Sequence, residues 1–241
     1  SIVDEYTTAD FGVLRGGDSN GDNAVTLVDF SILVATFGRC VGAIDYDGRA
    51  DFNGDDCVTL LDFSILRSNF GVSGDGSALP ATPQQPDTPP TNFSAQLSVV
   101  TPETALQPGD FFTVPIWVES ARSIDGAAAY LSFDPAVLRV TTITAGDQLT
   151  TILQNSFDNQ GGRISFAAGD LAAAVSGRFL LAMVEFIASG PGSSAIVFLR
   201  NSPTESNVTA GGASILASTV DGAVHVDGAP MSQTYLPLIG R

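Results

Sequence analysis

The 241-residue chain contains no lysine: all ten of its basic residues are arginine, against 26 acidic residues, and the formal net charge is −16. Nucleic acid and anionic membrane are both bound through clustered positive charge, so neither is an expected partner. There is one histidine, His225, and one tryptophan, Trp117. His225 has no serine or cysteine nucleophile near it in sequence, which leaves it a place at the surface or the edge of a core. The carboxylates Glu119, Asp134, Asp158, Asp170 and Glu185 would need a deep cleft to pair as in a glycosidase, and a small β-domain has little room for one. We therefore expect no catalytic residue and no enzyme. No apolar run approaches the roughly 20 residues of a membrane-spanning helix. The chain opens at Ser1 rather than Met, which suits a processed secreted protein or an excised piece of a longer one.

What is present is a duplication. The segment 18–33, DSNGDNAVTLVDFSIL, returns 33 residues later as DFNGDDCVTLLDFSIL at 51–66. The match extends to Phe37-Gly38 and Phe70-Gly71. In each copy, oxygen-bearing side chains stand at positions 1, 3, 5, 9 and 12 of a loop, the spacing that wraps a short turn around one hard cation. In the first copy Asp18, Asn20 and Asp22 offer side-chain oxygens. Ala24 offers its carbonyl, Thr26 holds a bridging water, and Asp29 closes the site. The second copy repeats this with Asp51, Asn53, Asp55, the carbonyl of Cys57, Thr59 and Asp62. The sixth position needs a positive φ, and Asn23 and Asp56 are among the few non-glycine residues that tolerate it. Two Ca²⁺ ions are the expected cofactors. A solvated acidic loop is the alternative, and two in-phase copies argue against it. After each loop an amphipathic run follows: Leu27, Phe30, Ile32, Leu33 and Phe37, then Leu60, Phe63, Ile65, Leu66 and Phe70. Gly38 and Gly71 are the expected helix stops.

Residues 10–72 resemble the dockerin family, with its duplicated calcium-loop-plus-helix unit that lacks the entering helix of an EF-hand. The resemblance implies binding of a cohesin through a face that includes loop positions 10 and 11. Here these are Leu27-Val28 and Leu60-Leu61, where many relatives carry a hydroxyl pair, so we expect an apolar interface.

Cys40 follows the first helix and Cys57 lies inside the second loop. We expect a disulfide between them, two free thiols being the alternative. A disulfide places the chain in an oxidising setting, extracellular or at a cell surface, and the dockerin resemblance implies a secreted bacterial protein. Asp45 and Asp47, between the repeats, add charge that a solvated connection accommodates.

From residue 73 to 92 the composition changes, with Pro80, Pro83, Pro86, Pro89 and Pro90 among Thr and Gln. This reads as a semi-rigid linker and a candidate O-glycosylated stalk at Ser77, Thr82, Thr88 and Thr91. Sequons start at Asn92 and Asn207. Beyond it the pattern is β. Strands are expected at 94–100, 111–119, 126–134, 138–145, 151–157, 163–168, 179–188, 195–199 and 222–226, separated by turn signals such as Pro108-Gly109-Asp110 and Asp134-Pro135. Nine short strands without a helix predict a sandwich.

Residues 93–228 resemble a cohesin domain. The resemblance rests on Pro108-Gly109-Asp110 before a Val-Pro-Ile strand, on 131–138 (LSFDPAVL), on 162–166 (GRISF) and on the closing 222–226 (GAVHV). It implies a jelly-roll sandwich that receives a dockerin. The receiving face would carry Ala128, Tyr130, Ser132, Arg163, Ser165 and Ala167, and the small side chains among them would suit leucine knobs. A tail, 229–241, leaves the sandwich.

The chain thus reads as two domains. A small α calcium-binding dockerin (1–72) of two EF-hand-like loop–helix repeats joins, through the linker at 73–92, to an all-β cohesin-like sandwich of about nine strands. The family implication is a non-catalytic extracellular scaffold or adaptor of the cellulosome type, serving polysaccharide breakdown. Its partners are cohesin or dockerin modules of other chains or of itself. Head-to-tail docking between copies would propagate as a filament. The alternative is a carbohydrate-binding sandwich that the dockerin tethers to a polysaccharide-degrading complex. An exposed aromatic row would favour sugar, and a plateau of small residues would favour protein.

Overall fold

The structure is a computed structural model that describes residues 15–73, 94–200 and 205–228. The proline-rich linker, the sequon at Asn92 and the 229–241 tail lie outside the described residues.

Each repeat is a loop followed by one helix, α1 (Leu27–Thr36) and α2 (Leu60–Asn69). Both begin the same way. Thr26 and Thr59 are extended N-caps whose hydroxyls accept from Val28 and Leu61, and Asp29 and Asp62 complete a reciprocal capping box. A cap of this kind satisfies backbone donors that the first helical turn leaves unpaired. Both helices end where glycine takes a left-handed conformation, Gly38 at φ 76° and Gly71 at φ 79°. The helices meet through an edge-to-face contact of Phe30 and Phe63, with ring centroids 6.4 Å apart.

Twelve strands form the second half. They are β1 (Ala95–Val99), β2 (Phe111–Ile124), β3 (Gly126–Ser132), β4 (Leu138–Ala145), β5 (Thr151–Asp158) and β6 (Arg163–Gly169). Next come β7 (Val175–Ala188), β8 (Gly192–Phe198), β9 (Asn207–Ala210), β10 (Ala213–Ser214), β11 (Leu216–Val220) and β12 (Gly222–Val226). One sheet runs β11-β1-β2-β7-β4. The other runs β10-β9-β3-β6-β5, with β8 joining the far end of β3 and carrying β12. The core between them takes every second residue: Val114, Ile116 and Val118 of β2, Ala129 and Leu131 of β3, Ile164 and Phe166 of β6, Val184 and Phe186 of β7. Seven of the nine expected strands stand within about three residues of their places; 111–119 runs on to Ile124 as β2, and 179–188 starts earlier, at Val175, as β7. The count of nine is corrected to twelve, because β9, β10 and β11 are two to five residues long and lie in a Ser-, Thr- and Gly-rich stretch without a clear alternation.

What matters for function is the outer face of the second sheet. Alternation turns Gly126, Ala128, Tyr130 and Ser132 of β3 away from the core. They stand in register with Gly169, Ala167, Ser165 and Arg163 of β6. Four of these eight positions, in two facing pairs, are glycine or alanine, so the face has a flat floor at one end.

Candidate docking face and calcium loops

The two loops have the same internal wiring. Asp18 accepts from the backbone N–H of Gly21 and of Asn23, both at 2.8 Å. Asp22 accepts from Ala24 N–H and from the Asn20 amide. Asp29, fully buried, accepts from Ser19, Asn20 and Thr26 backbone N–H and from the Thr26 hydroxyl. Asp51, Asn53, Asp55 and Asp62 repeat these contacts. Asn23 and Asp56 hold φ of 67° and 69°, the positive values that the sixth loop position demands.

The donor set is all oxygen and rich in carboxylate, and among the described residues no arginine or histidine forms a salt bridge with a loop carboxylate. That set fits a hard dication. Among the described residues no three acidic, histidine or cysteine side chains are gathered into a ready-made cage; the loop oxygens point at backbone N–H groups instead. The two closing carboxylates differ. Burial would raise Asp29, but hydrogen bonds from Thr26, Asn20 and Ser19 outweigh it and hold its carboxyl below the usual range. Burial dominates at Asp62 and pushes it up to about 6, with the charge of Asp51 adding to the shift.

The loops are tied crosswise. Val25 N–H donates to Val72 beyond α2, and Gly71 N–H returns to Val25. Reciprocally, Gly38 N–H beyond α1 donates to Val58, and Val58 N–H donates to Arg39. Isolated bridges join Ala24 to Ser73 and Cys40 to Cys57, and these are the same pair of positions in the two repeats. Only the second is covalent, with the Cys40 and Cys57 sulfurs bonded at 2.14 Å.

Helix α2 lies on the outer face of β3 and β6. Leu60, Phe63 and Leu66 are buried in one cluster with Ala128, Tyr130, Leu153 and Ala167. Glycine makes the approach possible. A Cβ on Gly126 would stand 2.9 Å from the Leu60 side chain, and one on Gly169 would collide with the Phe63 ring. Tyr130 lies under the helix, its hydroxyl donating to Gln154 at 3.0 Å, and burial pushes it up to about 12. The amide of Gln154 in turn closes against Gly38, at the end of α1.

At the rim of this contact the chemistry is ionic. Asp125, the buried residue between β2 and β3, accepts from the Ser64 hydroxyl and from the Arg67 guanidinium, both at 2.6 Å, and from Gly211 N–H. Arg67 also donates to the carbonyl of Asp170, and Gly212 N–H donates to Ser64 at 2.7 Å. A buried carboxylate paired in this way is strongly coupled to its partner, because removing either leaves an uncompensated charge.

The structure thus brings Leu60 and Leu61 together with Ala128, Tyr130 and Ala167. Leu61 is half-buried beside Thr59, Glu205 and Asn207. Ser165 is half-buried, and Ser132 and Arg163 sit at the far end of the ladder, where Arg163 is exposed. Leu27 and Val28 stay apart from this face, 67% and 54% exposed. Five residues of the contact carry no signal in the sequence reading: Ser64, Arg67, Asp125, Gly126 and Gly169. The one available hint was that Arg67 replaces Val34 between otherwise similar helices. Trp117 is capped by Arg178, whose guanidinium carbon is 4.6 Å from the ring centroid. His225 accepts or donates at Ser193, 2.9 Å away, and stands 3.5 Å from Asp227. The His225 side chain is 60% open to solvent, a setting that offers a substrate no enclosure.

Comparison with known proteins agrees with this architecture. The family model of the cohesin domain matches residues 95–226, and that of the dockerin type I domain matches 16–71. The chain belongs to the cohesin family and carries a dockerin type I domain ahead of its cohesin. No curated protein matches it. Among solved structures, the third cohesin ScaC of Acetivibrio cellulolyticus, in complex with the ScaB dockerin, is 19% identical. The likeness covers 56% of this chain and 99% of that one at a TM-score of 0.48. The seventh ScaB type I cohesin of Pseudobacteroides cellulosolvens is 17% identical over 59% and 99%, at 0.47. A non-cellulosomal cohesin of the archaeon Archaeoglobus fulgidus is 19% identical over 55% and 91%, at 0.46.

Proposed function

We propose that this chain is a non-catalytic, extracellular assembly protein in which a calcium-folded dockerin seats on a cohesin. The observation that carries the reading is α2 lying on the β3–β6 face, with leucine and phenylalanine set into a floor of glycine and alanine. A plateau of small residues is the feature that favours a protein ligand over a sugar. The aromatic that would serve a sugar best, Trp117, is half-buried and capped by Arg178.

Each loop takes one Ca²⁺ in EF-hand-like manner. The first ion is held by Asp18, Asn20, Asp22, the Ala24 carbonyl, Thr26 and Asp29. The second is held by Asp51, Asn53, Asp55, the Cys57 carbonyl, Thr59 and Asp62. Bound calcium supplies positive charge that ties loop and helix start together. The domain limits are 1–72 and 93–228. The disulfide suits the oxidising, calcium-rich exterior.

The test is hydrogen exchange on the full chain with and without chelator, together with a calcium count. Two ions per chain, with faster exchange in 60–69 once calcium is removed, are expected. Unchanged exchange and no bound calcium would end the reading.

A further inference from the structure

The dockerin of this chain has two similar helices, LVDFSILVAT and LLDFSILRSN, and the structure uses the second of them. If the module turned about its internal twofold, Leu27, Phe30 and Ser31 of α1 would replace Leu60, Phe63 and Ser64. The apolar part of the contact would survive. The ionic part would not: position 67 is arginine in α2, and its counterpart in α1 is Val34. Asp125 is 3% exposed and would then face valine, a buried carboxylate without a cation. Asp125 is moreover set in place by its own sandwich, through its N–H to Thr209 and its carboxylate to Gly211.

The cohesin that presents Asp125 follows the dockerin on the same chain. The described modules are joined by the 20 residues 74–93, between Ser73 and Ser94. A connection of that length reaches on the order of 60 Å when extended. Tethering on one chain turns docking into an intramolecular event, whose effective concentration is set by the length and stiffness of the connection and does not fall as the protein is diluted.

We propose that the dockerin of this chain is built for the cohesin of its own chain, in a single orientation selected by the Arg67–Asp125–Ser64 cluster. The inference rests on the assembly reading and names its partner. A chain closed in this way covers its α2 face and its β3–β6 face together. Another dockerin or cohesin gains either face only by opening the pair, and the face of α1 around Leu27 and Val28 stays outside.

The experiment uses the full chain in calcium with a single protease site placed in 74–93. Light scattering of the uncut protein should give a monomer at every concentration. After cutting, the two halves should still elute together at micromolar concentration. Arg67→Ala should weaken that association by about 100-fold or more. The charge exchange Arg67→Asp with Asp125→Arg should regain part of the loss. Ser64→Ala should weaken it, and the symmetry-related Ser31→Ala should not. Equal losses from Ser31→Ala and Ser64→Ala would show that both orientations are used and overturn the single-orientation claim. Dimers or longer species growing with concentration would overturn closure within the chain. Halves that part at 100 μM while calcium still orders α2 would overturn this inference and leave the assembly reading standing.

Discussion

Phe63 of the dockerin helix lies directly over Gly169 of the cohesin sheet, so close that a methyl group on the glycine would run into its ring. The φ of Gly169 is not in the left-handed region, so the glycine is there for space and not for backbone freedom. Gly169→Val should therefore fold and lose the docked helix. Exchange of the 60–69 amides should rise at least tenfold, and the sandwich melting temperature should stay within about 2 °C. Unchanged exchange would mean that α2 docks without the glycine floor.

Asp29 and Asp62 each accept four hydrogen bonds and stand at the twelfth position of their loops, where the proposed calcium sites would close. With calcium at 1,000 times its dissociation constant, one occupied site stabilises the fold by about 4 kcal/mol. Asp29→Ala should remove one bound ion and most of that amount, and Asp62→Ala should do the same at the other loop. Melts of the full chain with and without chelator would show it. A chelator effect of equal size in wild type and variants would mean that these carboxylates do not bind the ion.

The disulfide closes a separation of 17 residues and joins two segments already paired by backbone hydrogen bonds. A loop of that size restricts the unfolded chain by about 3 kcal/mol. Cys40→Ser with Cys57→Ser should lower the stability of the N-terminal module by roughly that much in urea. The matching Ala24–Ser73 bridge holds without a covalent bond, so the fold itself should remain. Loss of calcium binding in the double variant would make the bond a condition of folding.

Asp170, at the end of β6, accepts from Arg67 through its carbonyl and is expected to make stability depend on pH. Burial works to raise its carboxyl. Hydrogen bonds from Ala173, Ala172 and Thr150, with the charge of Arg67, prevail and hold it below 3.8. A carboxylate depressed on folding contributes stability that is present above its unfolded value and lost as the pH falls through its folded one. Melting temperature should accordingly drop between about pH 4 and pH 2, and Asp170→Asn should flatten that part of the curve. A variant with the wild-type acid slope would assign the slope to other carboxylates.

The duplicated loops, the helices and most strands were legible in the sequence, because each depends on residues close together along the chain. A twelve-residue loop carries its ligand spacing locally. Thr26 and Asp29 form their capping box within one turn, and alternation in β3 and β6 shows which residues leave the core. Ala128, Tyr130 and Ala167 were named as part of a receiving face because the cohesin resemblance implies one there, and α2 packs on them. The three strands β9, β10 and β11 were not legible, since two to five residues are too few to show a period.

Tertiary structure alone decided which helix docks and on what. Leu60 and Leu27 are the same residue in the same local setting, yet one is 3% exposed and the other 67%. Among the differences between the two helices is Arg67 against Val34, and that difference has no meaning until Asp125, 58 residues further on, is brought to it. Gly126 and Gly169 read as ordinary strand glycines until register sets them opposite each other beneath Leu60 and Phe63. Sequence determines what each segment can do with its neighbours along the chain. The pairing of a buried charge and the floor under a helix are properties of surfaces that exist only after both modules have folded.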